Sequence, residues 1–135
     1  MNPEPNASRL ADALFVPVLT HYAAGAPGTV DPARTLAHIR ALRPNVRQIM
    51  LAGSTGDGWE TSDAAFDALI DLAASPDVGE LDASLIFGAL RPSTGEVIAR
   101  LQHLERRLDA DAALAARVTA AVVCPPVDAQ ASQDA

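Results

Sequence analysis

The sequence predicts an α/β fold built as a parallel βα repeat, and three observations predict it. Four short apolar runs, over residues 14–20, 46–52, 84–90 and 118–124, are nearly continuous in hydrophobicity. That is the pattern of strands covered on both faces rather than one. Apolar residues recur at helical intervals between the runs. The residues closing the runs, Thr20, Gly53, Leu90 and Val123, stand 33, 37 and 33 positions apart. Such a unit holds a strand, a loop, a helix and a return loop, and right-handed crossovers then give β-α-β-α-β-α-β. Solenoid repeats of similar length are the rival, but no residue signature recurs at that period.

The elements follow in order. Residues 1–11, opening Met1-Asn2-Pro3-Glu4-Pro5, read as a flexible leader without the basic start of a signal peptide. In the first run Pro17 removes a ladder donor, which an early or edge strand tolerates. Asp31-Pro32 supplies an N-cap and a proline at the first helical position. Leu36, Ile39 and Leu42 then share a face until Arg43-Pro44 stops the helix. Ser62 or Thr61 caps the second helix, with Phe66, Leu69, Ile70 and Ala73 on one face and Pro76 closing it. The third starts near Ser93 with Val97, Ile98, Leu101, Leu104 and Leu108 in register, and residues 112–117 offer an extra helical turn. The folded domain is expected over residues 12–127, and the small polar tail 128–135 reads as disordered.

Composition bounds the function. A chain of 135 residues is one domain at most. Of its apolar residues 28 are Ala, leaving 38 to supply bulky or aromatic packing, enough for one modest core. A net charge of −7 with no Lys/Arg run argues against nucleic acid as the main partner. The single cysteine, Cys124, excludes an internal disulfide or a four-thiolate zinc site. The apolar runs fall far below the roughly 18 residues a membrane span needs, so the expectation is a cytoplasmic protein with no membrane partner. All ten basic side chains are arginine and there is no lysine. Arginine stays protonated and cannot act as an amine nucleophile, so Schiff-base chemistry through a lysine is closed to this polypeptide.

In α/β sheets ligands bind beyond the carboxyl ends of the strands. The informative end here is Gly53-Ser54-Thr55-Gly56-Asp57-Gly58. Its glycines allow tight backbone geometry, its hydroxyls and amides can cradle an anionic oxygen, and it leads toward a helix N-terminus. Read by itself, the run is equally a tight strand-to-helix turn with solvated hydroxyls.

Leu51-Ala52, then Gly53-Ser54-Thr55-Gly56-Asp57-Gly58, then a helix opened by Thr61-Ser62-Asp63, resembles the dihydrodipicolinate synthase and N-acetylneuraminate lyase family. The first strand ending in Thr20, the acidic Asp31 opening the first helix, and Val122-Val123-Cys124-Pro125-Pro126 stand at matching places. The resemblance covers roughly residues 12–127. It implies a pyruvate-linked class I aldolase on a (β/α)8 barrel, of which these four strands are the first half. It implies that Ser54 and Thr55 hold the carboxylate of pyruvate, that Ser54 also joins a tyrosine proton relay, and that no separate cofactor is used. The chain departs from the family pattern at four places. His21 stands where a proline commonly follows the threonine. Val127 and Asp128 stand where tyrosines follow the paired prolines, and Tyr22 cannot replace them by position. The second relay tyrosine and the Schiff-base lysine belong to the fifth and sixth strands, beyond the fourth and last run here.

The remaining candidates have plain readings. His21, His38 and His103 are too scattered to put a metal-ligand pair on one helical face, so no metal site is expected, although His21 sits at a strand's carboxyl end. Cys124 is expected to pack as a small apolar group. Asp57 and Glu60 stabilise a helix start, Trp59 packs in the loop, and Arg91 is either solvated or attracts an anion. Two functions from different classes result. One is a pyruvate-dependent lyase or synthase truncated before its lysine and inactive alone. The other is a non-catalytic half barrel, a subunit or gene fragment that binds a small carboxylate, itself, or a complementary half. A third reading keeps the anion cradle on a small α/β domain unrelated to aldolases.

Overall fold

A computed structural model describes residues 14–124. The expected leader 1–11, the tail 128–135 and the paired prolines after the fourth run lie outside the described residues. The elements are β1 (Phe15–Pro17), β2 (Tyr22–Ala23), β3 (Ala26–Val30), α1 (Pro32–Leu42), β4 (Gln48–Leu51), α2 (Asp63–Ala74), α3 (Pro76–Glu80), β5 (Ser84–Gly88), α4 (Thr94–Ala110), α5 (Ala112–Arg117) and β6 (Val118–Val122).

The four apolar runs form one parallel sheet in the order β1-β4-β5-β6, the order in which the chain makes them. Each strand is shorter than its apolar run, which continues into the flanking loops. Pro17 is accommodated as an edge residue. Val18 N donates to Met50 O at 2.9 Å, so by alternation the donorless Pro17 nitrogen faces away from β4.

The helices cover one face. Val18, Ile49, Leu51, Leu85 and Phe87 are at most 1% exposed and pack with Ile39, Phe66, Leu69 and Ile70 of α1 and α2. Phe66 meets Phe87 edge-on, ring centroids 5.7 Å apart. The caps expected for the helices are made. Asp31 Oδ1 accepts from Arg34 N at 3.0 Å, Ser62 Oγ (not Thr61) from Ala65 N at 3.1 Å, and Ser93 Oγ from Glu96 N at 3.4 Å. The alternate strand residues, Gln48, Met50, Ser84 and Ile86, lie outside that helix-packed cluster. Here Ser84 and Thr119 join hydroxyls at 3.2 Å beside a register shift in β6. The edges are barer: Phe15 and Leu19 on the β1 side are 50% and 49% exposed, and Val122 and Val123 on the β6 side 37% and 50%.

Three expectations are corrected. Residues 22–30 form a β2-β3 antiparallel hairpin that the apolar pattern did not announce. Its two-residue loop ends on Gly25 at φ 74°, a conformation that glycine adopts at little cost. Pro76 does not simply close α2; Ser75 caps a further short helix, α3, with Pro76 in its first turn. Cys124 does not pack in the core but is exposed just past β6.

Candidate functional site: the glycine loop above β4

The loop from Gly53 to Gly58 sits at the carboxyl end of β4, and its shape follows from crowding. Ala52 ends the strand at φ 55°, in the left-handed region that disfavours a side chain. The carbonyl this directs inward lies against Gly58 and Gly88, and a methyl group at either glycine would collide with it. Gly56 passes as closely under Val18, where an added Cβ would stand 2.5 Å from the carbonyl oxygen. The neighbouring strand ties the loop down, since Thr20 Oγ1 donates to Gly56 O at 2.6 Å. Backbone strain held by such surroundings is typical of binding loops.

Four amides of the loop serve the loop itself. Gly56 N and Gly58 N donate to Gly53 O at 3.0 and 2.8 Å, Asp57 N to Ser54 O at 3.3 Å, and Glu60 N to Asp57 O at 3.0 Å. The amides of Ser54 and Thr55 are not among them. Both residues are exposed, and among the described residues none hydrogen-bonds to either hydroxyl. The fold thus brings two adjacent hydroxyls to the sheet's carboxyl end on a loop that already engages four of its own amides, with the exposed carboxylates of Asp57 and Glu60 nearby. Each hydroxyl can donate one hydrogen bond and accept two.

The other strand-end residues are accounted for by structure. Tyr22, on the hairpin, lies near Asp57, Thr61 and Glu60; burial first, then the Asp57 charge, push its phenol up, so it stays protonated at neutral pH. Thr61 Oγ1 donates to Asp57 O at 2.7 Å and fixes the turn into α2. Arg91 is partly exposed and already paired: it donates to Glu96 Oε1 at 2.7 Å and to Thr61 O at 3.4 Å. The Ser93 hydroxyl and Arg91 hold the Glu96 carboxyl below its ordinary range. The fold also joins two histidines that the sequence left apart. His21 Nε2 and His38 Nδ1 are 3.2 Å apart, one ring edge-on to the other. Burial first, then His21, push the His38 imidazolium down. His103 instead contacts Asp67 at 2.8 Å. Among the described residues no group of three His, Cys, Asp or Glu is placed to hold a metal ion.

A cavity of about 430 Å³ lies elsewhere, between α2 and α4. Three charge pairs line it, Arg100 with Asp63 at 3.0 Å, Arg91 with Glu96, and His103 with Asp67, together with Arg106. Among the described residues the Nε and Nη1 of Arg100 meet no hydrogen-bond partner. Arg100 is buried, its guanidinium 4.6 Å above the Phe66 ring, and it donates to Thr61 O at 2.8 Å. It braces the helix start that carries the glycine loop. Sequence reasoning missed Arg100 because it falls between the apolar positions of α4, where an arginine ordinarily reads as a solvent-facing residue.

No family model matches the chain, and no curated protein matches it. A solved structure does, that of "a putative dihydrodipicolinate synthetase from Pseudomonas aeruginosa", with a TM-score of 0.62 and 23% identity. The match covers 81% of this chain and 33% of that one, so the chain spans about a third of the length of its structural neighbour. Among the described residues no helix is long and apolar enough to cross a membrane. The likeness fixes the fold: an α/β chain whose parallel sheet is a partial, TIM-barrel-like arrangement.

Proposed function

We propose that this chain is the carboxylate-binding, amino-terminal portion of a pyruvate-dependent lyase or synthase fold, and that it does not catalyse the reaction by itself. The observation that carries the reading is the glycine loop: Ser54 and Thr55 exposed, side by side, at the carboxyl end of β4 and ahead of the Ser62-capped helix. In this reading both hydroxyls donate to the carboxylate of a 2-oxo acid, and Ser54 stands where a proton is passed. The covalent step of such enzymes needs a lysine amine, which attacks the ketone, loses water and leaves an imine that draws electrons from the adjacent carbon. With no lysine in the chain, that step has no nucleophile here. The chain therefore works as a binding half, in the cytoplasm, on a small carboxylate such as pyruvate.

Treatment with pyruvate and borohydride, followed by mass spectrometry, tests the inactive half of the reading. The expected result is unmodified protein, or a trace on the Met1 amine. Rapid stoichiometric labelling with aldol activity would overturn it. Pyruvate line broadening in NMR tests the binding half: Ser54→Ala with Thr55→Val should weaken the interaction by about tenfold, the equivalent of about 1.4 kcal/mol. Unchanged binding would refute the assignment of these two residues.

A further inference from the structure

The geometry points to a second copy of this chain as the partner that completes the sheet: each β6 edge adds in parallel to the β1 edge of the other copy, closing eight strands around a two-fold axis. The inference rests on the barrel-half reading above and names its partner.

The sheet order leaves β1 and β6 as the two edges, and all four strands run the same way. A rotation about an axis along the strands keeps their direction and brings β6 of one copy beside β1 of the other, twice. Four strands and four make the eight of a closed (β/α)8 barrel, and closure removes both unpaired edges. Apolar side chains sit where such seams would form. Phe15 and Leu19 on one edge, and Val122 and Val123 on the other, are 37–50% exposed.

The helices flanking the seam match as well. On α4 an apolar groove of about 420 Å³ is lined by Ile98, Leu101, Leu108 and Ala121, with acidic Glu105 and Asp109 beside them. On α1 the exposed Ala33, Ala37 and Ala41 recur every four residues, with Arg34 and Arg40 alongside. Small residues let a second helix approach closely, and Arg34 is opposite in sign to Glu105 and Asp109, Arg40 being paired with Asp77 at 3.2 Å. A stable dimer needs about 800 Å² from each partner, roughly a ninth of this chain's 7349 Å². Two strand edges, one sheet face and one helix flank are available to supply it. Pro17 faces the open edge and offers an incoming strand no donor, so pairing there relies on the outward-facing amides two positions away, of Phe15 and Leu19.

Sedimentation of the full chain at tens of micromolar should give a discrete dimer. Phe15→Lys with Val123→Lys, both at half-exposed positions, should weaken it by at least about tenfold without changing the far-UV circular dichroism. Disulfide trapping reads the strand sense. Parallel pairing sets Cys124 at the carboxyl end of β6 beside the carboxyl end of the other copy's β1. Mild oxidation of Leu19→Cys should therefore yield covalent dimers through Cys124, whereas Phe15→Cys, at the far end of β1, should not. A compact monomer, open-ended polymers, or trapping through Phe15→Cys would each overturn the proposal. None of these readouts involves pyruvate, so failure here and failure of the carboxylate site are distinguishable.

Discussion

The middle and the margins of the sheet solve opposite problems. β4 and β5 have a strand on each side and helices against one face, and Ile49, Leu85 and Phe87 are wholly buried. Among the described residues β1 and β6 each lack a neighbour on one side, and residues just as apolar stand half in water there. The same residue types thus serve two ends: inside they hold this chain together, and at the margins they leave surface for something else to cover.

Substitutions should break or sharpen that contrast. The largest effect is expected in the middle. Phe87→Ala, or Phe66→Ala against which it packs, should cost about 3–5 kcal/mol, read as a lower urea midpoint at unchanged slope. Leu19→Ala at the margin should change the stability of the dilute chain by no more than about 0.5 kcal/mol. Equal losses would erase the distinction. Next comes Gly88→Ala in β5, whose methyl group would press on the Ala52 carbonyl; a cost of about 1–3 kcal/mol is expected by the same measurement. A neutral result would mean that the glycine loop can move off the strand.

The smaller effects are electrostatic and lie on the helix surface. Asp67 is held below its ordinary range chiefly by the hydrogen bond from His103, then by Arg107. A carboxyl with a depressed native pKa contributes above its unfolded value of about 3.8 and loses that contribution as pH falls through the lower native value. Asp67→Asn should therefore flatten the acid limb of stability. Because the Asp67 side chain is 43% exposed, solvent screening limits the cost at pH 7 to about 0.5–1 kcal/mol. His38 works with the same proton count in a higher pH window. Its native pKa lies below 6.5, so the unfolded chain binds more protons and stability falls as pH drops through 6.5. His38→Gln should remove that slope, and acid titration followed by circular dichroism checks both variants.

Much of the frame was legible in the sequence because periodicity and capping are local. Asp31, Ser62 and Ser93 each cap the helix they precede, and the four apolar runs supply all four parallel strands. What escaped depends on partners distant in sequence. The hairpin strand Ala26–Val30 is one-fifth proline and one-fifth glycine, a composition that speaks for a loop; Val30 and Tyr22 make it a strand by packing on the core. The His21–His38 contact joins the end of β1 to a helix 17 residues away, which no single-element pattern encodes. In the candidate site, Ser54 and Thr55 were visible as a motif. The collar around them was not, because the Thr20 hydroxyl and Gly88 come from the two flanking strands.

Strand order has a further consequence, for how the molecule is born. Since β1, β4, β5 and β6 lie side by side in the order of synthesis, each strand leaving the ribosome finds its template already in place. At about 5–20 residues per second, a spacing of 33–37 residues separates successive additions by seconds. Local closure of that kind takes microseconds to milliseconds, so folding can keep pace with translation from the first βα unit onward. At every stage the growing sheet presents two exposed margins, that of β1 and that of the newest strand, and the next unit made meets the newer one.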